Sequence, residues 1–166
     1  MSLTIADISA LMRSYITPAG FERLVKEYDN LLKVERPIMT REVAYAASLG
    51  DRSENAEYIY GKKKLRAIDR RLHYLKKRLQ GVEVVPPIEG DIIRFGATVV
   101  LETEDGEEQT VTIVGEDEID SAKSFISYKS PIGTALIGCE EGDEVTVMTP
   151  GGKRTMAVVE VRYGET

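Results

Sequence analysis

Hydrophobic positions in the first half of the chain repeat with the spacing of a coiled-coil helix. They recur three and four residues apart, which gives one narrow apolar stripe: Phe21, Leu24, Tyr28 and Leu31, then Val43, Ala46 and Leu49. Thr17 before Pro18 is typical of a helix start, because threonine caps free N–H groups and proline fits the first turn. Gly50 is typical of a helix end. Pro37 is expected to kink this helix, since it removes a hydrogen bond.

A second helix with the same period follows directly. We expect it to begin near Ser53 and to end at Gly81, ahead of the prolines at 86 and 87. Its seam positions are again spaced three and four residues apart: Leu65, Ile68, Leu72, Leu75 and Leu79. Two helices of similar length with a short connection predict an antiparallel hairpin. At a rise of about 1.5 Å per residue, its arms would reach roughly 40 Å.

After residue 87 the hydrophobic period becomes two, which is typical of β-strands. The predicted strands are residues 91–95, 97–103, 109–115, 143–149 and 154–163. Ser130 and Pro131 predict the cap and first turn of a short helix that runs to Ile137. The fold class is therefore α+β, with a loosely held leader over residues 1–16, a coiled-coil hairpin over 17–82 and a β-rich domain over 83–166.

Charge divides the chain at the same place. Residues 1–82 hold 16 Lys and Arg against 10 Asp and Glu, whereas residues 83–166 hold 6 against 18. Such asymmetry suggests halves with different partners, one of them a nucleic acid. No apolar run reaches membrane-spanning length, and we expect no signal peptide. Cys139 is the sole cysteine, which excludes an internal disulfide, and we expect a cytoplasmic monomer.

Three acids lie close together where the two predicted helices meet: Asp51, Glu54 and Glu57. One interpretation is structural, because Asp51 and Glu54 have capping-box spacing and acids favour the first turn of a helix. The other is functional, because acids at the far end of an arm cannot stabilise a core. Two or three carboxylates would hold Mg²⁺ only weakly, so a partner would have to supply the remaining ligands.

Nine basic residues lie between positions 62 and 78, with Asp69 as the only acid among them. A solvated helix face usually mixes charges of both signs, whereas like charges at this density favour contact with a polyanion. The candidate nucleic-acid-binding residues are Lys62, Lys63, Lys64, Arg66, Arg70 and Arg71. Tyr58, Tyr60 and Tyr74 could add stacking, although tyrosines beside a seam are more often packing residues. A plain solvated face remains the alternative.

These residues resemble the Gre family of bacterial transcript-cleavage factors. The likeness is carried by residues 47–58, which read ASLGDRSENAEY, by KKKLR at 62–66 and by IDRR at 68–71. The second half adds FGA at 95–97, IVG at 113–115, DE at 117–118, SPI at 130–132 and TPGG at 149–152. The likeness runs from about residue 17 to residue 163. The DRS form of the tip and the dense basic run look like the GreB branch more than the GreA branch.

The resemblance implies a function and a site. Such factors enter the secondary channel of a backtracked bacterial RNA polymerase, where Asp51 and Glu54 would help to hold a second catalytic Mg²⁺ shared with the polymerase. Ser53, Asn55, Glu57 and Tyr58 would support this tip, and the basic face would hold the nascent RNA 3′ end. The second half would be an FKBP-like domain that docks on the channel rim through Ser130 and Pro131. The chain would then be a cofactor and not an enzyme by itself.

Two features depart from the family pattern, and two rival functions stay open. Lys129 stands where we expect an acidic or neutral residue, and residues 1–16 extend beyond the usual start. One rival is a regulator that occupies the channel without stimulating cleavage. The other is a prolyl isomerase, which rests only on the fold analogy of the FKBP-like half.

Overall fold

A computed structural model describes residue 4, residues 13–50 and residues 54–164. The contacts divide these residues into two compact units. Glu22–Gly81 forms a helical unit, and the described residues before Glu22 join those from Val82 onward in a β-rich unit. The helical unit lies within the hairpin predicted over residues 17–82. No helix among the described residues is long and apolar enough to cross a membrane.

The helical unit consists of two chain segments. The first contains helix α1 (Pro18–Asn30) from Glu22 onward, a π-helical turn (Leu31–Glu35) and helix α2 (Arg36–Ser48), and the second is helix α3 (Ala56–Gly81). The Thr17 hydroxyl accepts a hydrogen bond from the Gly20 N–H at 3.1 Å, which confirms the predicted cap of α1. Pro37 was predicted to kink this helix. The structure has a π-helical turn that ends two residues before Pro37, and the α-helix then continues through Pro37.

Pairs of residues across the hairpin show that its two segments run antiparallel. The pairs are Glu27 with Arg71, Arg36 with Asp69, and Ala46 with Asn55. As the residue number rises along the first segment, the residue number of its partner on the second segment falls. Most of the predicted seam is at least partly covered, and its fully buried members are Leu24, Leu31, Ala46, Leu72 and Leu75. Leu49 was predicted in the seam but is 60% exposed, because α2 ends one residue earlier at Ser48.

The β-rich unit is built on a sheet of five strands: β3 (Thr98–Thr103), β4 (Glu108–Val114), β5 (Phe125–Ser127), β6 (Glu144–Thr149) and β7 (Gly152–Arg162). Their order across the sheet is β5-β4-β3-β7-β6. Helix α4 (Pro131–Leu136) contributes Leu136 to a core whose other buried members come mainly from β3, β4, β6 and β7. This sheet with one short helix against its core is the FKBP-like half that the resemblance implied.

Four short segments differ from the sequence prediction. The expected strand at 91–95 was wrong: only Ile92 makes an isolated bridge, to Glu140. Strand β5 was not predicted, because three residues are too few to show a period of two. The prediction of a loosely held leader was also wrong in part, since β1 (Ser14–Ile16) pairs in parallel with β2 (Val82–Val84). The remaining leader residues, apart from Thr4 and Arg13, lie outside the described part of the chain.

Candidate functional site

Helix α3 begins with an asparagine cap at the tip of the hairpin. The Asn55 side-chain oxygen accepts a hydrogen bond from the Tyr58 backbone N–H at 3.1 Å. This bond satisfies one of the donors that a helix start leaves free, and asparagine is among the preferred residues for it. The predicted start at Ser53 was therefore too early. The helix begins at Ala56, and Asn55 provides the cap.

The same asparagine side chain also bonds to the end of α2. Its Nδ2 atom donates to the backbone carbonyl of Ala46 at 2.6 Å. The N–H of Leu49 donates to this carbonyl as well, at 3.2 Å, as the helix closes. Gly50 follows with φ of +155°, a conformation that favours glycine and agrees with the predicted helix end. One side chain thus connects the end of one helix to the start of the next.

Glu54 lies outside helix α3 and its side chain is exposed. It occupies a turn immediately before the capping residue. The capping-box interpretation placed an N-cap at residue 51, but the observed cap is Asn55 and the helix starts after Glu54. Glu57, by contrast, is in the first helical turn, where a negative charge is favoured by the helix dipole. Asp51 and Ser53 lie outside the described residues, so their predicted roles remain predictions.

The predicted basic residues form an exposed face on α3. Lys63, Arg66 and Arg70 recur at helical spacing and are all exposed, and Lys62 is half-buried. Among the described residues, none of these four has a carboxylate within ion-pair distance. Lys64 is also exposed, with its Nζ atom 4.9 Å from the centre of the Tyr60 ring. The face therefore presents positive charge that neighbouring acids do not neutralise.

Arg71 differs from the other candidates because it is part of the hairpin's own structure. Its guanidinium makes two hydrogen bonds to Glu27, at 2.6 and 3.0 Å, and lies 5.3 Å from the Tyr74 ring centre. Arg36 pairs with Asp69 across the hairpin in the same way. Such a two-point contact fixes the guanidinium, so Arg71 is less available to a ligand than Arg66 or Arg70. Tyr60 is 60% exposed and remains the better candidate for stacking.

Ser130 and Pro131 open helix α4 as the sequence predicts. The Ser130 hydroxyl accepts a hydrogen bond from the Gly133 N–H at 3.1 Å, which makes serine the cap. Pro131 occupies the first turn and is exposed. The helix ends at Leu136, one residue before the predicted end at Ile137. The Ser130 hydroxyl is therefore used to cap the helix, whereas the Pro131 ring is exposed and could contact a partner.

Lys129, the residue that departs from the family pattern, has its charge paired within the chain. Its ammonium contacts the Glu116 carboxylate and lies 5.6 Å from the Tyr128 ring centre. The hydrogen bond to Glu116 raises the pKa of Lys129 above its usual value. The lysine therefore adds little net charge to the surface beside Ser130, because Glu116 compensates it locally.

Sequence comparison identifies both halves of the chain. Residues 14–84 match the family described as "Transcription elongation factor, N-terminal". Residues 88–163 match "Transcription elongation factor, GreA/GreB, C-term". The chain belongs to the GreA/GreB family.

The relatives of this Gre factor cover nearly the whole chain. It is 53% identical to transcription elongation factor GreB of Pseudomonas putida over 90% of this chain and 94% of that protein. It is 50% identical to GreB of Yersinia pestis over 90% and 89%. Among solved structures, GreA factor homolog 1 of Thermus thermophilus is 27% identical over 90% and 99%, with a TM-score of 0.43. The GreB names agree with the branch that the tip sequence indicated.

The described residues of this Gre factor do not form a metal centre by themselves. They include no group of three or more His, Cys, Asp or Glu side chains that could hold a metal ion. The exposed carboxylate of Glu54 is a hard oxygen ligand of the kind that Mg²⁺ prefers. Because Mg²⁺ needs about six ligands, this donor set fits a shared ion and does not fit a self-contained centre.

Sequence reasoning missed two contacts of this Gre factor. The bond from Asn55 to the Ala46 carbonyl joins residues on different helices, although the cap itself has a recognisable sequence signal. Glu118 was noted only as part of a family motif, yet it is 4% exposed and accepts hydrogen bonds from Thr17 and Gly115. Nothing in the spacing of these residues indicates that they meet.

Proposed function

We propose that this Gre factor rescues backtracked bacterial RNA polymerase by stimulating the polymerase to cleave the nascent RNA near its 3′ end. The tip of the hairpin enters the secondary channel, and the factor contributes ligands and not a complete active site. Membership of a family of transcription elongation factors supports the general role. The tip supports the specific one.

The observation that carries this proposal is the state of Glu54. Its side chain is exposed, and it lies outside the helix whose start is capped by Asn55. A carboxylate that neither caps the helix nor packs in a core is free to bind a ligand. Asp51 lies three residues before it in the same connecting segment. We infer that these two acids act together.

Asp51 and Glu54 would hold Mg²⁺ jointly with carboxylates of the polymerase. When bound, such a second ion would supply activation of the attacking water and neutralisation of charge on the scissile phosphate. The factor's own residues contribute negative charge and oxygen ligands. Two carboxylates alone hold Mg²⁺ weakly. The factor would therefore need the polymerase to supply the remaining ligands.

The basic face would bind the extruded RNA, and α4 would contact the polymerase. Lys62, Lys63, Arg66 and Arg70 offer charge that the described acids leave uncompensated, which suits a phosphate backbone. Lys64 and Tyr60 add a cation beside an exposed ring. Pro131 is exposed at the start of α4 and would form part of the docking contact on the channel rim.

The test is cleavage of labelled RNA in a stalled, backtracked transcription complex. We expect the wild-type chain to shorten the transcript in the presence of Mg²⁺. Asp51→Ala and Glu54→Ala should each reduce this cleavage by two orders of magnitude or more while binding to polymerase is retained. Glu42→Ala is the matched control, because Glu42 is an exposed acid on α2 with no assigned role. Full cleavage by the Asp51, Glu54 double variant would contradict the mechanism.

The alternative is a regulator that occupies the secondary channel without stimulating cleavage. It would bind polymerase and slow elongation, and the wild-type chain would leave backtracked transcripts intact. Measuring elongation rate and cleavage on the same complexes separates the two functions. The exposed Glu54 favours the cleavage factor, because a simple plug has no need of an exposed acid at that position.

A further inference from the structure

The Asn55 side chain uses both of its polar atoms at the hairpin tip. Its oxygen caps α3 through the Tyr58 N–H, and its nitrogen donates to the Ala46 carbonyl at 2.6 Å. Asn55 is half-buried, and Ala46 is only 3% exposed. The amide group therefore forms a bridge between the two helix ends.

Capping alone does not require this residue type. Serine and aspartate cap a helix about as well as asparagine does. A serine hydroxyl can donate, but its single oxygen ends one bond closer to the backbone than the asparagine nitrogen, and an ionised aspartate is an acceptor only. The bridge to Ala46 needs a donor on the same short side chain that already supplies the acceptor. Asparagine is the residue that offers both at this length.

The bridge also restrains Glu54 through the main chain. Glu54 is joined to Asn55 by one peptide unit, so fixing the Asn55 side chain limits the positions of the preceding residue. A ligand group binds better when its position is fixed before the ligand arrives. Glu54 itself makes no contact that would serve this purpose among the described residues.

We propose that Asn55 is a positioning residue that holds the Glu54 carboxylate in a fixed place relative to the end of α2. This inference rests on the proposed function, because it assigns Glu54 a ligand. Asn55 itself does not touch the metal ion or the RNA. It acts by keeping the two helix ends together.

Two substitutions separate the bridge from the cap. Asn55→Ser and Asn55→Asp keep a capping oxygen and lose the amide nitrogen that donates to the Ala46 carbonyl. We expect both to raise the Mg²⁺ concentration for half-maximal cleavage by about fivefold, the ratio that corresponds to one neutral hydrogen bond. Cleavage should recover at saturating Mg²⁺. Asn30→Ser is the matched control, because Asn30 makes an exposed side-chain bond to Glu35 on the same unit.

The two variants also separate position from charge. Aspartate adds a negative charge that would attract Mg²⁺, so a loss shared by both variants points to the lost bridge. A loss with serine and a gain with aspartate would overturn the proposal in favour of charge alone. A lowered melting temperature with a loss that Mg²⁺ does not rescue would overturn it in favour of general destabilisation.

A measurement on the factor by itself is independent of cleavage. In NMR spectra of the full chain, the Asn55 side-chain amide protons should exchange slowly, and the Glu54 backbone amide should become more mobile in both variants. Unchanged Glu54 mobility would overturn the bridge. If the wild-type chain does not stimulate cleavage, the proposed function fails, and the positioning role fails with it. If it does and the variants show the wild-type Mg²⁺ dependence, only the positioning role fails.

Discussion

Replacing Glu118 should destabilise the β-rich unit, because its carboxylate holds the segment before α1 in place. Glu118 is 4% exposed and accepts hydrogen bonds from the backbone N–H groups of Thr17, at 3.0 Å, and Gly115, at 2.9 Å. It also accepts one from the Thr17 hydroxyl. That hydroxyl in turn caps α1 through Gly20. The network joins the helix start to the 3₁₀ turn after β4.

The magnitude follows from the number and kind of these bonds. A hydrogen bond to a charged group contributes about 1.5–3 kcal/mol, and a buried donor left without an acceptor costs about 1–3 kcal/mol. Three bonds to one carboxylate are coupled, and water would enter the space left by a smaller side chain. We therefore expect Glu118→Ala to lower the free energy of unfolding by about 3 kcal/mol, less than the sum of the separate bonds.

Glutamine at the same position is the matched control. Its oxygen can take the place of Oε2 and accept from both backbone N–H groups, while its NH₂ group faces the Thr17 hydroxyl, which can accept. Glu118→Gln should therefore cost only about 1 kcal/mol, the worth of one rearranged bond. Urea unfolding followed by circular dichroism and tyrosine fluorescence measures both variants. A cost below about 1 kcal/mol for alanine, or equal costs for alanine and glutamine, would refute the reasoning.

Gly20 supplies a second check on the same network. A Cβ atom at this position would overlap the Glu118 carboxyl group. Gly20→Ala should therefore destabilise the wild-type chain although alanine favours helix formation. In the Glu118→Ala background the obstruction is gone, and the same substitution should become neutral or stabilising. Equal effects in the two backgrounds would mean that the two residues do not contact each other.

Three further predictions concern the hairpin and the single cysteine. Gly61→Ala should destabilise the hairpin by about 1 kcal/mol despite the better helix propensity of alanine, because its Cβ would lie 2.8 Å from Val43 Cγ2. In the Val43→Ala background, thermal unfolding should show that the same substitution stabilises the hairpin. A double-mutant cycle on Arg36 and Asp69 should give a weak coupling that falls with added salt, since both side chains are more than 40% exposed; a coupling that added salt leaves unchanged would contradict this. Burial raises the pKa of Cys139, so less thiolate is present at neutral pH and alkylation should be slower in the folded chain than in urea; equal rates would contradict this.

The sequence predicted the elements that carry a regular period. The seam of α3 and the four longer strands repeat over enough residues to be recognised, and Leu72, Leu75 and the strand cores are buried as expected. Strands β1, β2 and β5 are three residues each, so they show no period. Their existence depends on partners far along the chain, such as Ser14 beside Val82.

The candidate site was predictable as residue types and less so as geometry. The acids and the basic run were visible directly, and the cap of α4 at Ser130 follows from local rules. The start of α3 was placed too early because several residues between 51 and 55 can cap a helix, and only the bond to Ala46 selects Asn55. The network of Glu118 joins residues 101 positions apart, which no local pattern reports.

The ion pairs of the hairpin also bear on the proposed contact with RNA. Asp69 and Glu27 are used by Arg36 and Arg71 across the hairpin. Asp69 is the one acid inside the basic run, so its pairing with the first segment removes it as a partner for its neighbours on α3. The remaining positive charges repel each other only weakly in salt water, because screening acts within about 8 Å at physiological ionic strength. A polyanion could bind these uncompensated charges without first breaking an ion pair. The pairing of Asp69 with Arg36 therefore favours the phosphate-binding interpretation over a plain solvated face.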